Sequence, residues 1–235
     1  MERTLGFSTG ALAFGDFRRA LNMLRSRGIR AVELSALRQP ELGSLSEAIG
    51  ELDLSSFKYV AVHAPSSIAR GTERQVVNVI GKLASYGWPI VVHPDAIHDF
   101  GLWRELGAMV CVENMDKRKP IGRTVDELAV VFEKLPDASL CFDLGHARQV
   151  DATMSEAYLI VKTYQSKLRQ LHVSEVNTSS RHDRLTWWAI RAFQRVADFI
   201  PESVPVIVES VVDESEIEPE LRRTEEALPL AMAVP

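Results

Sequence analysis

Seven ionisable side chains stand where short apolar runs give out. The runs are Val60-Ala61-Val62-His63, Ile90-Val91-Val92-His93, Val110-Cys111-Val112-Glu113, Leu140-Cys141-Phe142-Asp143 with Gly145-His146 after it, Leu171-His172, and Val206-Ile207-Val208-Glu209. Imidazole combined with carboxylate suits zinc, manganese, iron or cobalt, and a carboxylate-rich subset with one histidine leans toward manganese, magnesium or cobalt. A lone histidine of this kind is more often a hydrogen-bonded structural residue than a ligand. Seven at the ends of buried strands are different, because each uncompensated buried group costs several kcal/mol, which a metal or a bound polar substrate offsets.

The elements that must position these residues alternate along the whole chain. Strands are expected at Leu5–Thr9, Ala31–Leu34, Tyr59–His63, Ile90–His93, Met109–Glu113, Ser139–Asp143, Leu168–Val173 and Pro205–Glu209. Helical patterns lie at Phe17–Ser26, Ser44–Glu51, Thr72–Tyr86, Asp99–Leu106, Thr124–Leu135, Met154–Gln165, Thr186–Phe199 and Glu216–Leu230. Thr124 with Glu127 reads as a capping box, Gly28 as the stop of the first helix, and Gly87 as the turn into Trp88-Pro89. Eight strand-helix units close naturally as a parallel (β/α)8 TIM barrel, which gathers all eight strand ends at one mouth. The 235 residues, 46% hydrophobic, are expected to form a single domain over 1–235, with a loose tail from Pro229.

Composition narrows the partners. A formal charge of -5 disfavours a broad basic surface and hence nucleic acid, without excluding it. Met1-Glu2-Arg3-Thr4 begins no signal sequence, and no stretch approaches the roughly 18 apolar residues that span a bilayer, so a cytoplasmic protein with no membrane partner is expected. Homo-oligomerisation is left open. Cys111 and Cys141 each stand two residues before a strand-end acid and read as reduced small residues packed beneath the site. There is no Walker sequence, dinucleotide fingerprint or nucleophile elbow, so no nucleotide cofactor is expected.

Other residues carry weaker signals. Glu33 ends a strand and points either into the mouth or among the helices. His98 reads as a solvated loop histidine. The loop Asn177-Thr178-Ser179-Ser180-Arg181-His182-Asp183-Arg184 either binds phosphate through its arginines and hydroxyls or is simply solvated. Of Trp187 and Trp188, at least one is expected to pack against the barrel, leaving the other free to line the mouth.

The chain resembles the xylose-isomerase-like barrels, a group that includes sugar isomerases, ketose 3-epimerases and the endonuclease IV class of apurinic-site endonucleases. The resemblance spans essentially the whole sequence and rests on Val32-Glu33-Leu34, Val62-His63-Ala64-Pro65, Val92-His93-Pro94, Val112-Glu113-Asn114, Asp143-Leu144-Gly145-His146, Leu171-His172-Val173-Ser174-Glu175 and Val208-Glu209-Ser210, in that order. In the epimerase branch it implies Glu113, Asp143, His172 and Glu209 around one divalent ion (Mn, Mg, Co or Zn), with Glu113 and Glu209 as acid and base. In the endonuclease branch it adds His63, His93 and His146 as further ligands, together with an Asp-x-His pair in the seventh loop; the alternative for these three histidines is contact with a substrate hydroxyl or phosphate. Here Asp183 stands for that aspartate and Leu185 where the histidine belongs. Placing His182 two residues earlier in an extended loop moves its side chain by about 7 Å. His182 and Asp183 are therefore expected to serve substrate binding or loop order, not a full trinuclear site, and Arg181 is a candidate substrate-binding residue.

The leading expectation from sequence is a metal-dependent isomerase or epimerase of a small sugar, sugar phosphate or related polyol, transferring a proton beside a chelated carbonyl. The alternative is a metal-dependent phosphoester hydrolase of the endonuclease IV type. A third is a non-catalytic barrel that binds a metabolite or partner.

Overall fold

The computed structural model describes residues 3–230; the first two residues and the tail from 231 onward, where the loose end was expected, lie outside the described residues. In chain order the strands are β1 (Leu5–Ser8), β2 (Ala31–Ser35), β3 (Tyr59–His63), β4 (Ile90–Val92), β5 (Val110–Glu113), β6 (Ser139–Asp143), β7 (Leu168–Val173), β8 (Glu175–Val176), β9 (His182–Asp183) and β10 (Val206–Val208). The helices are α1 (Thr9–Ala13), α2 (Phe17–Leu24), α3 (Gln39–Ala48), α4 (Glu73–Ala84), α5 (Phe100–Arg104), α6 (Val125–Lys134), α7 (Leu144–Val150), α8 (Ser155–Tyr164), α9 (Trp187–Ala197) and α10 (Ile217–Ala227). Strands β1 to β7 and β10 close into a parallel barrel in the order β1-β10-β7-β6-β5-β4-β3-β2. The fold is a (β/α)8 TIM barrel. Among the described residues no helix is long and apolar enough to cross a membrane.

The barrel strands are short and apolar because they are buried on both faces. Val32, Leu34, Val62, Val92 and Val112 belong to the core shared with the helices. Val91, Cys111 and Cys141 form a separate small cluster, with both thiols free and buried. Strand alternation therefore puts both cysteines on the side that carries Glu113 and Asp143. The same alternation turns Glu33 away from Val32 and Leu34 and into the barrel, which resolves the two orientations left open by the sequence.

Several local expectations are corrected. Helix α3 starts at Gln39, five residues earlier than Ser44, because the Arg38 backbone and the Glu41 carboxylate cap it, and it gives way to a 3-10 turn at Ile49–Glu51. Helix α2 ends at Leu24, four residues before Gly28, with Ser26 already at φ 64°. Thr124 accepts from Glu127 N at 3.3 Å, but the Glu127 carboxylate caps Arg123 N instead of completing the box. His98 is half-buried, not solvated: its Nε2 lies 2.7 Å from Ile68 O and its backbone N–H donates to buried Glu73.

Four elements with no counterpart in the sequence reading shape the mouth. Helices α1 and α7 follow directly on β1 and β6. The antiparallel pair β8 and β9 folds the seventh loop back on itself, opposing Glu175 to Asp183 and Val176 to His182. Gly145 permits this, since a Cβ there would lie 2.5 Å from Ser174 O and 2.7 Å from Val176 Cγ2.

Candidate metal centre

Glu113, the last residue of β5, sits at the centre of the mouth. Its Oε2 lies 3.1 Å from His63 Nε2 and 3.2 Å from His93 Nε2. Its Oε1 lies 3.2 Å from His172 Nδ1 and 3.3 Å from His146 Nδ1. Four imidazoles from β3, the end of β4, α7 and β7 thus converge on one buried carboxylate.

Potential ligand atoms fall into three groups, the atoms of each within 4.8 Å of one another: His63, His93 and Glu113; Glu113, Asp143, His172 and Glu209; and Asp143, His146 and His182. Glu113 belongs to the first two and Asp143 to the last two, so the groups form a bridged series. The donor set fits divalent metal: imidazole nitrogen and carboxylate oxygen, no competing cationic side chain within the groups. Among the described residues Asp143 Oδ2 and His93 Nδ1 are buried without a hydrogen bond, which calls for another partner.

Local structure explains how each side chain arrives. Asp143 closes β6 and also caps α7, its Oδ1 accepting from His146 N at 2.6 Å. That cap starts the helical turn that aims His146 inward. Asn114 ties β5 to β6 by accepting from Asp143 N at 2.7 Å and donating to Asp143 O at 2.9 Å, and its carbonyl lies 2.9 Å from His146 Nδ1. Glu209 follows β10, with its Oε2 3.3 Å from His172 Nδ1 and 3.5 Å from His182 Nδ1.

The seventh loop departs from expectation. The β8–β9 hairpin returns His182 to the mouth, its ring 5.3 Å from that of His146 and its Nδ1 2.8 Å from Ser174 Oγ. The displacement argued for an extended loop does not apply, because the chain reverses at Asn177–Ser180 and Val211 N holds the His182 carbonyl at 3.1 Å. His182 therefore joins Asp143 and His146 at the mouth, while Leu185, which stood for the motif's histidine, is a buried apolar residue. Asp183 is exposed, bonded to Asn177 Nδ2 at 2.7 Å, and borders a different surface hollow. Arg181 is likewise exposed and does not line the mouth. Trp187 and Trp188 are both exposed, at 58% and 70%, and neither lines the mouth, so the expected packing against the barrel is absent.

Protonation follows from crowding. Burial pushes Glu209 up to about 8 and raises Asp143 as well. Burial acts on Glu113 in the same direction, but His172 and His93 outweigh it and hold that carboxyl well below its usual range. His63 is drawn up to about 9 and His146 to about 10, burial being overcome for the first by Glu113 and Glu33 and for the second by Asp143 and Glu113. His182, facing burial and the His146 charge, falls to about 3.

Above the groups opens a cavity of about 520 Å³ bordered by His63, His93, Glu113, His146, His182 and Glu209. Its rim carries Arg118 and Lys119 from the loop after β5, and Phe14 and Leu37 on the apolar side. Lys119 Nζ pairs with Asp95 Oδ2 at 2.9 Å, and Arg118 Nη1 donates to Ser179 O at 2.6 Å, which ties that loop to the hairpin tip. Sequence reasoning passed over both cations; the signal was Lys117-Arg118-Lys119, a cationic run four residues beyond a strand-end acid.

No family model matches the sequence, and no curated protein matches it. Solved structures do match in shape. Endonuclease IV from Thermus thermophilus superposes with a TM-score of 0.61 and 20% identity, over 96% of this chain and 98% of that one. A xylose isomerase-like TIM barrel protein from Mycobacterium smegmatis, in complex with magnesium, gives 0.59 and 12% over 96% and 98%. A candidate sugar phosphate isomerase/epimerase from Anabaena variabilis gives 0.59 and 12% over 99% and 89%. At these identities the likeness shows the fold: this chain has the barrel of the xylose isomerase-like and endonuclease IV structures.

Proposed function

We propose that the chain is a metal-dependent phosphoester hydrolase, and the observation that carries this is the sharing of Glu113 between two histidine-containing ligand groups. Adjacent ions bridged by a carboxylate suit phosphoester hydrolysis, whereas enolisation of a ketose needs one. Proton transfer by Glu113 is also poorly supported, since each of its oxygens already faces two imidazoles. The isomerase expected from sequence thus becomes the second reading.

His63, His93 and Glu113 would hold one ion, Glu113, Asp143, His172 and Glu209 a second, and Asp143, His146 and His182 a third, weaker one, because its single carboxylate is shared with the second. The histidine-rich first group favours zinc, with manganese or cobalt next. Ions held there would neutralise phosphoryl charge and make a water nucleophilic near neutral pH. Lys119 and Arg118 draw phosphoryl oxygens to the rim. In its ionised form Glu209, the most solvent-accessible of the three carboxylates in these groups, would take a proton from the attacking water. Phe14 and Leu37 receive the organic part of the ester.

The test runs metal-loaded protein against phosphomonoesters, phosphodiesters and abasic-site DNA, beside deuterium uptake into ketoses and ketose phosphates. Metal-dependent ester cleavage is expected. Deuterium uptake beside a carbonyl without any cleavage would overturn the proposal. On a cleaved substrate, Lys119→Met should raise KM by about 10- to 100-fold with little change in kcat, the loss of one charge-assisted phosphate contact. A fall in kcat at constant KM would instead place Lys119 in transition-state stabilisation.

A further inference from the structure

Beneath the ligand groups a second polar layer crosses the barrel. Glu33 of β2 and Gln170 of β7 are fully buried, and Tyr59 of β3 closes the layer from below. Gln170 Nε2 donates to Glu33 Oε2 at 2.7 Å, and the Tyr59 hydroxyl donates to Gln170 Oε1 at 2.8 Å. Glu33 Oε2 also lies 2.9 Å from His172 Nε2, the ring nitrogen facing away from the ligand groups. The opposite nitrogen, Nδ1, faces Glu113 at 3.2 Å and Glu209 at 3.3 Å.

We infer that Glu33 is a positioning residue for the metal centre, fixing His172 with its proton on Nε2 and its Nδ1 lone pair directed at the ion, and that Gln170 and Tyr59 hold Glu33 in place for this. The inference rests on the reading that Glu113, Asp143, His172 and Glu209 bind metal.

The chemistry behind it is the choice of tautomer. A neutral imidazole carries one proton, and the nitrogen that keeps it cannot bind metal. Two groups compete for Nε2: the Glu33 carboxylate, which requires a proton there, and the Gln170 amide nitrogen, 2.8 Å away, which would donate to a bare nitrogen. The carboxylate wins because a hydrogen bond to an anion is roughly twice as strong as one between neutral groups. Tyr59 reinforces this outcome. Burial pushes its acidity far out of range, so its hydroxyl stays protonated and donates to Gln170 Oε1, which turns the amide nitrogen toward Glu33. The negative charge beneath the ring also makes Nδ1 a more basic ligand. Glu33 Oε1 has no hydrogen-bond partner among the described residues, so the carboxylate's hydrogen bonds in the layer run through the oxygen that faces His172.

The test uses the full chain stripped of metal and titrated with cobalt(II) against a competing chelator. Glu33→Gln keeps the shape and removes the charge. It should weaken cobalt binding by about 10- to 100-fold and shift the visible absorption of the bound ion, while circular dichroism reports an intact barrel. In parallel, zinc-loaded wild-type protein labelled with 15N should show His172 metallated at Nδ1 and protonated at Nε2, a readout that needs no variant. Metal on Nε2, or a folded Glu33→Gln protein with wild-type affinity and an unchanged cobalt spectrum, would overturn the inference alone. Wild-type protein that binds no ion would overturn both it and the reading beneath it.

Discussion

Glu113→Gln is expected to abolish turnover and strip metal from two of the three ligand groups, because Glu113 is the one residue common to both. The carboxylate neutralises charge for ions on either side, and an amide offers one neutral oxygen in its place. Ions contribute several kcal/mol to charge stabilisation in hydrolysis, so a loss on the order of 10³-fold or more in kcat/KM follows. Elemental analysis should find at most one ion left, at the Asp143, His146 and His182 group. The fold should survive, since the hydrophobic core lies between strands and helices and Glu113 is outside it. A Glu113→Gln protein with full metal content and wild-type rate would remove the bridged centre from consideration.

The barrel and the convergence of its strand-end groups were legible for one reason. Strands buried on both faces read as unbroken apolar runs, and the first ionisable residue after each run lies at the mouth. The same property hid Glu33. All five residues of β2 are buried, so the alternation of Val32, Glu33, Leu34 and Ser35 separates two faces without saying which one lies inside the barrel, and only the barrel closure assigns them. His182 was misplaced for a different reason. Two-residue strands carry no periodicity, and the reversal at Asn177–Ser180 depends on Asn177 Oδ1 accepting from Ser179 N at 2.8 Å and Arg181 N at 3.2 Å. Such an Asx turn looks in sequence like any polar loop. Arg118 and Lys119 were overlooked because charges in a loop are usually solvated; their direction is set by Asp95 and the Ser179 carbonyl, residues far away in sequence.

Removing metal is expected to cost the protein stability, by an amount that grows with pH. An ion present at about 1,000 times its Kd contributes roughly 4 kcal/mol, and for a chain of this size that corresponds to about 8–16 °C in Tm. The pH dependence comes from protons that occupy the ligand groups when no ion does. His63 and His146 titrate in the folded chain at about 9 and about 10, above the ordinary 6.5, and Glu209 at about 8, above 4.5. All three bind protons more tightly when folded. The stability from the two histidines is complete below about pH 6.5, that from Glu209 below about 4.5, and both are lost as pH rises toward 8–10. His182 acts oppositely, at about 3 in the folded chain, so its charging erodes stability only in acid, below about pH 6.5. The metal-free protein should therefore melt progressively lower from pH 6.5 to 10. The metal-loaded protein should hold its Tm over that range, because ligand nitrogens must be deprotonated to bind and rising pH favours them. Differential scanning calorimetry of both forms at pH 6.5, 8 and 9.5 reads the widening gap. Parallel curves would mean that these buried groups are not titrating in the metal-free fold.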